Sequence, residues 1–427
     1  MSLIDRPVAA PVRRPHDHRA WWIVAVAATA IMAAGAFGTL PGLLVAPLHH
    51  EFGWSHGTTG LAMWVNMALN GLIAPFAAAL MERFGPRRIA AAALLTIAAG
   101  AALTTVMTAA WQFTLYWGVL IGLGTGAMGG TFATVVTNRW FVRRRGLATG
   151  ILTASGVFGQ FVFLPPLAWV VEHLQWRAGT VTLAMAALVV VPLAWFWLRD
   201  HPSETGTTAG PSASPSAPPR ARPFQVLRGA ARTRTFWLLA GTFAICGIST
   251  NGLMWTHFVP AAGDHGMAPT TAASMLTLIG IFNVAGTVAS GWLTDRYDAR
   301  LLLAVYYTLR AGTLFVLPQL LGPSVHPPLI AFIILFGLLD VATIPPTIAL
   351  SAIRDRFGTE ESAVVFGWTL AAHQLGAGLM ALAGGLLRDA LGTYTMVWIF
   401  AGLLCLVAAL MSALVPAPAP GAEPRAR

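Results

Sequence analysis

Twelve apolar stretches occupy most of the chain, each roughly the 20 residues that one helix needs to cross ~30 Å of hydrocarbon. They lie at 21–46, 56–81, 89–110, 112–137, 147–171, 178–198, 235–260, 270–293, 300–320, 327–352, 362–387 and 392–415. Only 10% of the 427 residues are charged, where a soluble globular chain averages about 25%. So few charges cannot solvate a protein of this size. The apolar residues must face lipid, and the expected fold class is an all-α integral membrane protein with twelve transmembrane helices.

The net charge of +10 does not point to nucleic acid, because of where the charge sits. There is no Lys, and all 26 basic residues are Arg. With the N-terminus inside, 23 of them fall in the N-terminal tail, the even-numbered loops and the C-terminal tail. Arg177 and Arg388 fall outside, and Arg310 lies within a stretch. The opposite orientation would put the 23 outside, so the positive-inside rule places both termini in the cytoplasm of a multi-pass cytoplasmic-membrane protein. The first stretch follows a 20-residue polar lead and is too long for a signal-peptide core, so it is expected to remain as the first span. Cys246 and Cys405 both fall inside stretches, with no disulfide framework and no metal-ligand spacing.

One charged loop occurs twice. Ala78-x3-Glu82-Arg83-x-Gly85-x-Arg87-Arg88 follows the second stretch, and Gly291-x3-Asp295-Arg296-x3-Arg300 follows the eighth, 213 residues on. Aligning Gly159 with Gly376 puts Glu172 opposite Asp389, an offset of 217. Two offsets that agree within four residues indicate duplication, hence two pseudo-symmetric six-helix halves. The run Thr205–Arg222, rich in Pro, Ser, Ala and Gly, cannot bury enough apolar surface to fold and reads as a linker. The chain then divides into a cytoplasmic tail (1–20), a bundle (21–198), a cytoplasmic linker (199–234), a second bundle (235–415) and a cytoplasmic tail (416–427). Within the linker, Phe224 to Arg234 is expected to form a short basic amphipathic helix on the inner leaflet.

Twelve spans, a central linker and the loop Glu82-Arg83-x-Gly85-x-Arg87-Arg88 resemble the major facilitator superfamily over residues 21–415. Ala78 stands where the family usually has Gly, Glu82 where Asp is usual, and Asp298 where Gly is common in the second copy; the charges stay in place. Within the superfamily, Arg139-Trp140-Phe141-x-x-Arg144-Arg145-Gly146-Leu147-Ala148-x-Gly150-Ile151 is similar to the monocarboxylate and oxalate/formate branch. The resemblance implies alternating access, in which two halves rock about a central cavity. It also implies a cytoplasmic gate made of Glu82, Arg83, Gly85, Arg87, Arg88, Asp295, Arg296 and Arg300, with Glu82 and Asp295 pairing to arginines when the inner side is closed. The alternative is that the arginines only set topology. Monocarboxylate carriers have an acid on span eight and, four positions later, an Arg that binds the substrate carboxylate. Aligned back from Gly291, those positions here are Asn283 and Thr287.

Ionisable groups at mid-depth in a membrane are costly, by at least ~2.5 kcal/mol, so each is a functional hypothesis by default. Asp340 sits near the middle of span ten, in Leu338-Leu339-Asp340-Val341-Ala342-Thr343-Ile344-Pro345-Pro346. The double proline interrupts helical hydrogen bonding and is expected to leave carbonyls free to line a cavity. A carboxyl group that can be neutral or charged suits a proton carrier. The rival role is a structural ion pair with Arg310, whose depth on span nine agrees within one helical turn. His373, followed by Gln374 on span eleven, can hydrogen-bond a carboxylate or, protonated, neutralise one. Asn66 and Asn70 share a face of span two, while Asn251 and Asn283 lie on spans seven and eight. The resemblance makes these amides substrate ligands, and interhelical packing bonds are the competing role.

Two further signals are read as structural. Gly124-x-Gly126-x-x-Gly129 matches a dinucleotide fingerprint, but no strand precedes it, and Gly122, Gly126 and Gly130 form a small-residue packing stripe. His49-His50-Glu51 with His56 lacks metal-binding spacing and reads as an external loop. No nucleophile elbow, metal cluster or sizeable soluble domain suggests an enzyme. The expected protein is a secondary active transporter of a small organic anion or other small polar metabolite, in symport with protons; export of a drug-like or secondary metabolite is the alternative. Its expected partners are a small-molecule solute and the lipid bilayer, not nucleic acid. It needs no cofactor beyond a proton gradient, and it is expected to be monomeric.

Overall fold

The computed structural model describes residues 17–141, 145–200, 223–351 and 362–416. Most of the expected linker, nearly all of both tails and Arg144 of the branch motif lie outside the described residues, as does the Glu82 side chain.

All described secondary structure is helical. The first span is α1 (Asp17–Gly35) and α2 (Leu40–Phe52), joined by a 3-10 turn at Ala36–Gly38. α3 (His56–Phe84) and α4 (Pro86–Thr104) follow. The fourth span is α5 (Ala110–Phe113), a π-helical stretch at Thr114–Ile121, α6 (Gly122–Ala127) and α7 (Gly130–Trp140). α8 (Arg145–Trp197) is two helices that meet at Gln175, whose φ is 72°. α9 (Pro223–Ala230) precedes the seventh span, which is α10 (Arg234–Gly247), a π-helical stretch at Ile248–Met254 and α11 (Trp255–Asp264). α12 (Pro269–Thr294) and α13 (Ala299–Leu320) are spans eight and nine. The tenth is α14 (Pro327–Asp340) with α15 (Ile344–Ser351), and α16 (Ser362–Leu391) and α17 (Thr395–Ala413) complete the set.

Ten segments among the described residues are long and apolar enough to cross a membrane. One of them, Leu147–Trp197, holds the two helices that meet at Gln175. The 29 residues of α3 reach about 43 Å at ~1.5 Å per residue, enough for another crossing. Twelve crossings result, six on each side of the linker.

The interruptions follow a pattern. Spans one, four, seven and ten are broken by 3-10, π or turn geometry, while α3, α4, α12, α13 and α17 run without a break. Every third span is thus discontinuous, the arrangement expected where inverted repeats converge on a central site. In span ten the cause is local. Pro345 and Pro346 have no N–H to give, so the carbonyls of the preceding turn lose their helical donors.

One face of the bundle carries Arg83, Arg87, Arg88, Arg139, Arg228, Arg296 and Arg300; the other carries Arg177 and Arg388. These are the Arg-rich and Arg-poor faces below. The expected amphipathic helix α9 forms, and part of its apolar side packs on the protein. Val226 and Ala230 are buried against Phe236, Ala240 and Val365, and the Phe224 ring lies 5.8 Å from Trp368. Val226 and Ala230 are thereby removed from water on α10 and α16, while Phe224 stays 64% exposed.

Candidate functional site

Five C-terminal spans bring polar side chains together at mid-depth. Arg310, 11 residues along α13, is fully buried. Its Nη2 donates to the carbonyls of Leu339 and Asp340, both at 2.5 Å, and its Nη1 donates to Ser249 Oγ at 3.2 Å and Cys246 Sγ at 3.4 Å. Ser290 Oγ donates to the Ala342 carbonyl at 2.5 Å. Of the two carbonyls whose helical donors the double proline removes, Val341 accepts from the Ile344 N–H and Ala342 from Ser290, while Arg310 takes those of Leu339 and Asp340 one turn earlier, so these carbonyls are occupied rather than left free to line a cavity, which corrects the sequence expectation. The fork of donors on a guanidinium suits the end of a broken helix, where several acceptors point the same way.

Asp340 is buried at 1% exposure. Its Oδ2 accepts from Asn283 Nδ2 at 2.9 Å, while its Oδ1 has no hydrogen-bond partner among the described residues. Arg310 reaches the backbone of Asp340, and no carboxylate ion pair joins the two among the described residues. The expected structural pair is thus a contact between guanidinium and helix end. Trp255 and His373 are further polar side chains facing the carboxylate.

His373 is half-buried beside this cluster. Its Nε2 lies 3.5 Å from Thr250 Oγ1, and its Nδ1 is 3.2 Å from Gln374 Oε1. Gln374 Nε2 donates to Asn70 Oδ1 across the junction of the halves at 2.8 Å, and Asn70 Nδ2 donates to Thr125 Oγ1 at 3.1 Å. Thr250 and Ser249 both donate to the Cys246 carbonyl. A continuous polar chain therefore runs from Thr125 on span four, through Asn70, Gln374, His373 and the Cys246 turn, to Arg310, Asp340 and Asn283. Asn66 stands apart and donates to the Trp117 carbonyl at 2.8 Å, a packing bond within its own half. Asn251 is half-buried on the π-helical stretch, and its amide makes no hydrogen bond among the described residues.

The Arg-poor face is closed across the halves. Asp389 Oδ1 accepts from the His56 backbone N–H at 3.0 Å and lies 2.8 Å from His56 Nδ1; Oδ2 accepts from the Gly57 N–H at 2.8 Å. Glu172 Oε2 accepts from the Thr270 hydroxyl and from its backbone N–H. Gly57 and Gly60 meet α16 so closely that a Cβ on Gly60 would lie 2.5 Å from the Ala381 carbonyl oxygen. On the Arg-rich side, α7 packs on α1, α3, α4 and α8, and α15 packs on α10, α12, α13 and α16, each within its own half.

The sequence-derived gate residues are engaged locally. Arg87 N–H donates to Asp200 Oδ1 at 2.9 Å, next to Gly85 with φ 87°, and the Arg87 guanidinium lies over Trp195. Arg83 lies over Phe84, and Arg88 is exposed. Arg296 donates to the Trp292 carbonyl at 3.0 Å, and Asp295 is exposed without an ion-pair partner among the described residues. Arg300 pairs with Asp298 at 2.5 Å, and its hydrogen bonds hold the Asp298 carboxyl below the usual carboxylate range. The signals set aside have plain structural reasons. A Cβ on Gly122 would lie 2.9 Å from the Asn66 backbone and one on Gly126 would lie 2.7 Å from the Asn70 carbonyl oxygen, so both glycines seat span four on span two; Gly130 has open space. Glu51 accepts from Trp176 and Arg177, and no cluster of three metal-binding side chains occurs among the described residues.

Two bundles of six, broken every third helix about a buried polar chain, define a multi-pass membrane carrier. The model of the Major Facilitator Superfamily matches residues 26–350 and 245–427, and the chain belongs to that family. It is 28% identical over 342 residues to monocarboxylate transporter 13 of Bos taurus, covering 79% of this chain and 75% of that one. It is 25% identical over 356 residues to the uncharacterized MFS-type transporter YcxA of Bacillus subtilis, covering 82% and 84%. Among solved structures, a bacterial homolog of the human lysosomal transporter Spinster, inward-facing and unoccupied, superposes with a TM-score of 0.77 at 15% identity, over 93% of this chain and 97% of that one. The xylose transporter XylE from E. coli, partially occluded and inward open, gives 0.66 at 15% identity, over 93% and 98%.

Proposed function

We propose that this transporter carries a small organic anion or other small polar metabolite across the cytoplasmic membrane in symport with protons, with both termini in the cytoplasm. The observation that carries this reading is the mid-membrane chain that joins Asp340 to the junction of the halves through Arg310, the Cys246 turn, His373, Gln374 and Asn70. A buried carboxylate oxygen without a donor is costly. A proton on Asp340 relieves that cost and alters what Asn283 must offer it. Neutral groups, His373, Gln374, Asn70 and Asn251, provide the contacts for the solute. Arg310 is enclosed, and both of its terminal nitrogens are engaged by protein acceptors while its Nε has no partner among the described residues, so it is assigned to the helix break rather than to a substrate carboxylate. With the Arg-poor face closed, this conformation is read as open to the cytoplasm. The similarity to carriers named for monocarboxylates supports the anion class.

The test is uptake of a labelled panel (lactate, pyruvate, oxalate, aromatic acids and a neutral control) into proteoliposomes under an imposed pH gradient. Accumulation that collapses with the gradient, and Asp340→Asn flux that no longer follows it, are the expected results. Gradient-driven uptake by Asp340→Asn with unchanged pH dependence would remove Asp340 from the proton path. Absence of flux for every acid would favour proton-coupled export of a drug-like or secondary metabolite, which the neutral Asn283 and Thr287 also suit.

A further inference from the structure

We infer that Glu172 and Asp389 are a symmetric pair of latches that close the Arg-poor face by capping, each from its own half, the first turn of a helix in the other half. The inference rests on the alternating-access reading above. The first turn of any helix presents N–H groups with no intrahelical partner. In α3 the third of these, on Thr58, goes to the cap residue Ser55. The first two, on His56 and Gly57, go to Asp389 of α16, at 3.0 and 2.8 Å. In α12 the cap residue is Ala268, which has no side-chain oxygen, and Pro269 has no N–H. The Thr270 N–H and hydroxyl go to Glu172 of α8.

The two contacts are related by the internal duplication. Glu172 closes span five and caps span eight; Asp389 closes span eleven and caps span two. The acids stand 217 positions apart in the chain. Each carboxylate therefore meets the positive end of a helix dipole that belongs to the opposite half. Close approach is secured by Gly57 and Gly60 on α3 and Gly385 on α16, where a Cβ would press on backbone or side chain of the opposite half. His56 adds a ring contact to Asp389 at 2.8 Å. None of these bonds can persist when the halves part on this face, so the three carboxylate oxygens that accept them, on side chains already partly in water, and the helix ends are left to solvent. Their contribution is present in one conformation only, which is the condition for biasing a two-state equilibrium. Glu172 and Asp389 thus act as positioning residues for the transport cycle, not as ligands of the solute.

The test measures distance and does not depend on knowing the solute. Spin labels at Val106→Cys and Ser324→Cys report across the Arg-poor face, and labels at Trp197→Cys and Tyr297→Cys report across the Arg-rich face, in proteoliposomes. Neutralising one acid at a helix start should shift the ratio of closed to open Arg-poor face about two- to fivefold, and the pair Glu172→Gln with Asp389→Asn roughly tenfold. The short Arg-poor distance should lose population as the Arg-rich distance shortens. Glu172→Asp and Asp389→Glu should retain the original distribution. If the double variant does not fold, the single variants give the same reading at smaller amplitude. Distance distributions unchanged in folded variants would overturn the latch, whether or not the protein moves any acid. Shifted distances without acid flux would uphold it and count against the substrate reading alone.

Discussion

A single methyl group at Gly385 tests whether the Arg-poor face separates as the halves rock. Gly385 lies on α16, directly beneath the start of α3 in the other half. A Cβ built there would clash with the His56 carbonyl oxygen, lie 2.7 Å from its carbon and 3.0 Å from the Gly57 nitrogen. These neighbours are backbone in the first turn of a 29-residue helix, so they cannot rotate aside. Relief requires the helices to part by several tenths of an ångström. Overpacking of this kind costs about 1–3 kcal/mol. Because His56 and Gly385 belong to different halves, the cost arises only while this face is closed. Gly385→Ala should therefore shift the closed-to-open ratio by about 5–150-fold. Gly376→Ala is the control. Its Cβ would lie 2.9 Å from the Ala244 carbonyl carbon on α10, in the same half, so the strain accompanies both conformations. Electron–electron distances across the Arg-poor face and thermal melts of the purified protein separate the two effects. Gly385→Ala should lengthen the distances with little change in melting, and Gly376→Ala should lower melting with little change in distance. Equal distances in both variants, with equal loss of stability, would refute the idea that these helices belong to separately moving bodies.

Two further substitutions probe named contacts. Arg310→Lys keeps the charge but cannot reach the Leu339 and Asp340 carbonyls together with Ser249 and Cys246; leaving about two buried acceptors unsatisfied should cost about 2–4 kcal/mol, read as a lower melting temperature, and an unchanged melt would show that other donors serve the break. Asp298→Asn keeps a competent helix cap but loses the Arg300 pair: because folding depresses the Asp298 carboxyl, its contribution is present above the unfolded value of about 3.9 and is lost as pH falls through the folded value, so wild type should lose up to about 1 kcal/mol more than the variant on acidification below pH 4, and parallel melting curves would contradict this.

Apolar length and arginine placement made the helices legible in the sequence, because lipid permits few other ways to satisfy a backbone. The duplication was legible for a related reason: charged loops at a fixed offset survive where the apolar stretches between them are interchangeable. Depth was legible too, since residues at ~1.5 Å intervals place Arg310 and Asp340 level with each other. What could not be read was which atoms meet. The guanidinium takes main-chain carbonyls of the broken helix, and nothing in residue identity distinguishes a carbonyl acceptor from the carboxylate three bonds away. Asn66 and Asn70 look equivalent in sequence, four residues apart on one face. α16 runs along α3 past both, yet the Asn66 amide turns to the Trp117 carbonyl of its own half and only Asn70 bonds across the halves. Glu172 and Asp389 were visible as markers of the repeat, but a cap supplied by another half depends on which helix ends abut, and that is a property of packing.

The placement of charge gives the two halves unequal roles. At mid-depth Arg310, Asp340 and His373 all lie in the C-terminal half, while the N-terminal half offers the amide of Asn70 and the hydroxyl of Thr125. On the proton-symport reading proposed above, a proton taken up at Asp340 changes the hydrogen bond with Asn283 first. For that change to reach the other half through this polar chain, it must pass through the Gln374–Asn70 bond. A donor–acceptor pair of neutral amides suits this position, since an amide can exchange its donor for its acceptor by turning over, at no cost in charge. The proposed Arg-poor latches would supply the opposing term, a bias held in helix ends far from Asp340. On this reasoning the proton and the latches act on one equilibrium from two depths, and the halves part when the amide contact no longer supports what the carboxylates hold.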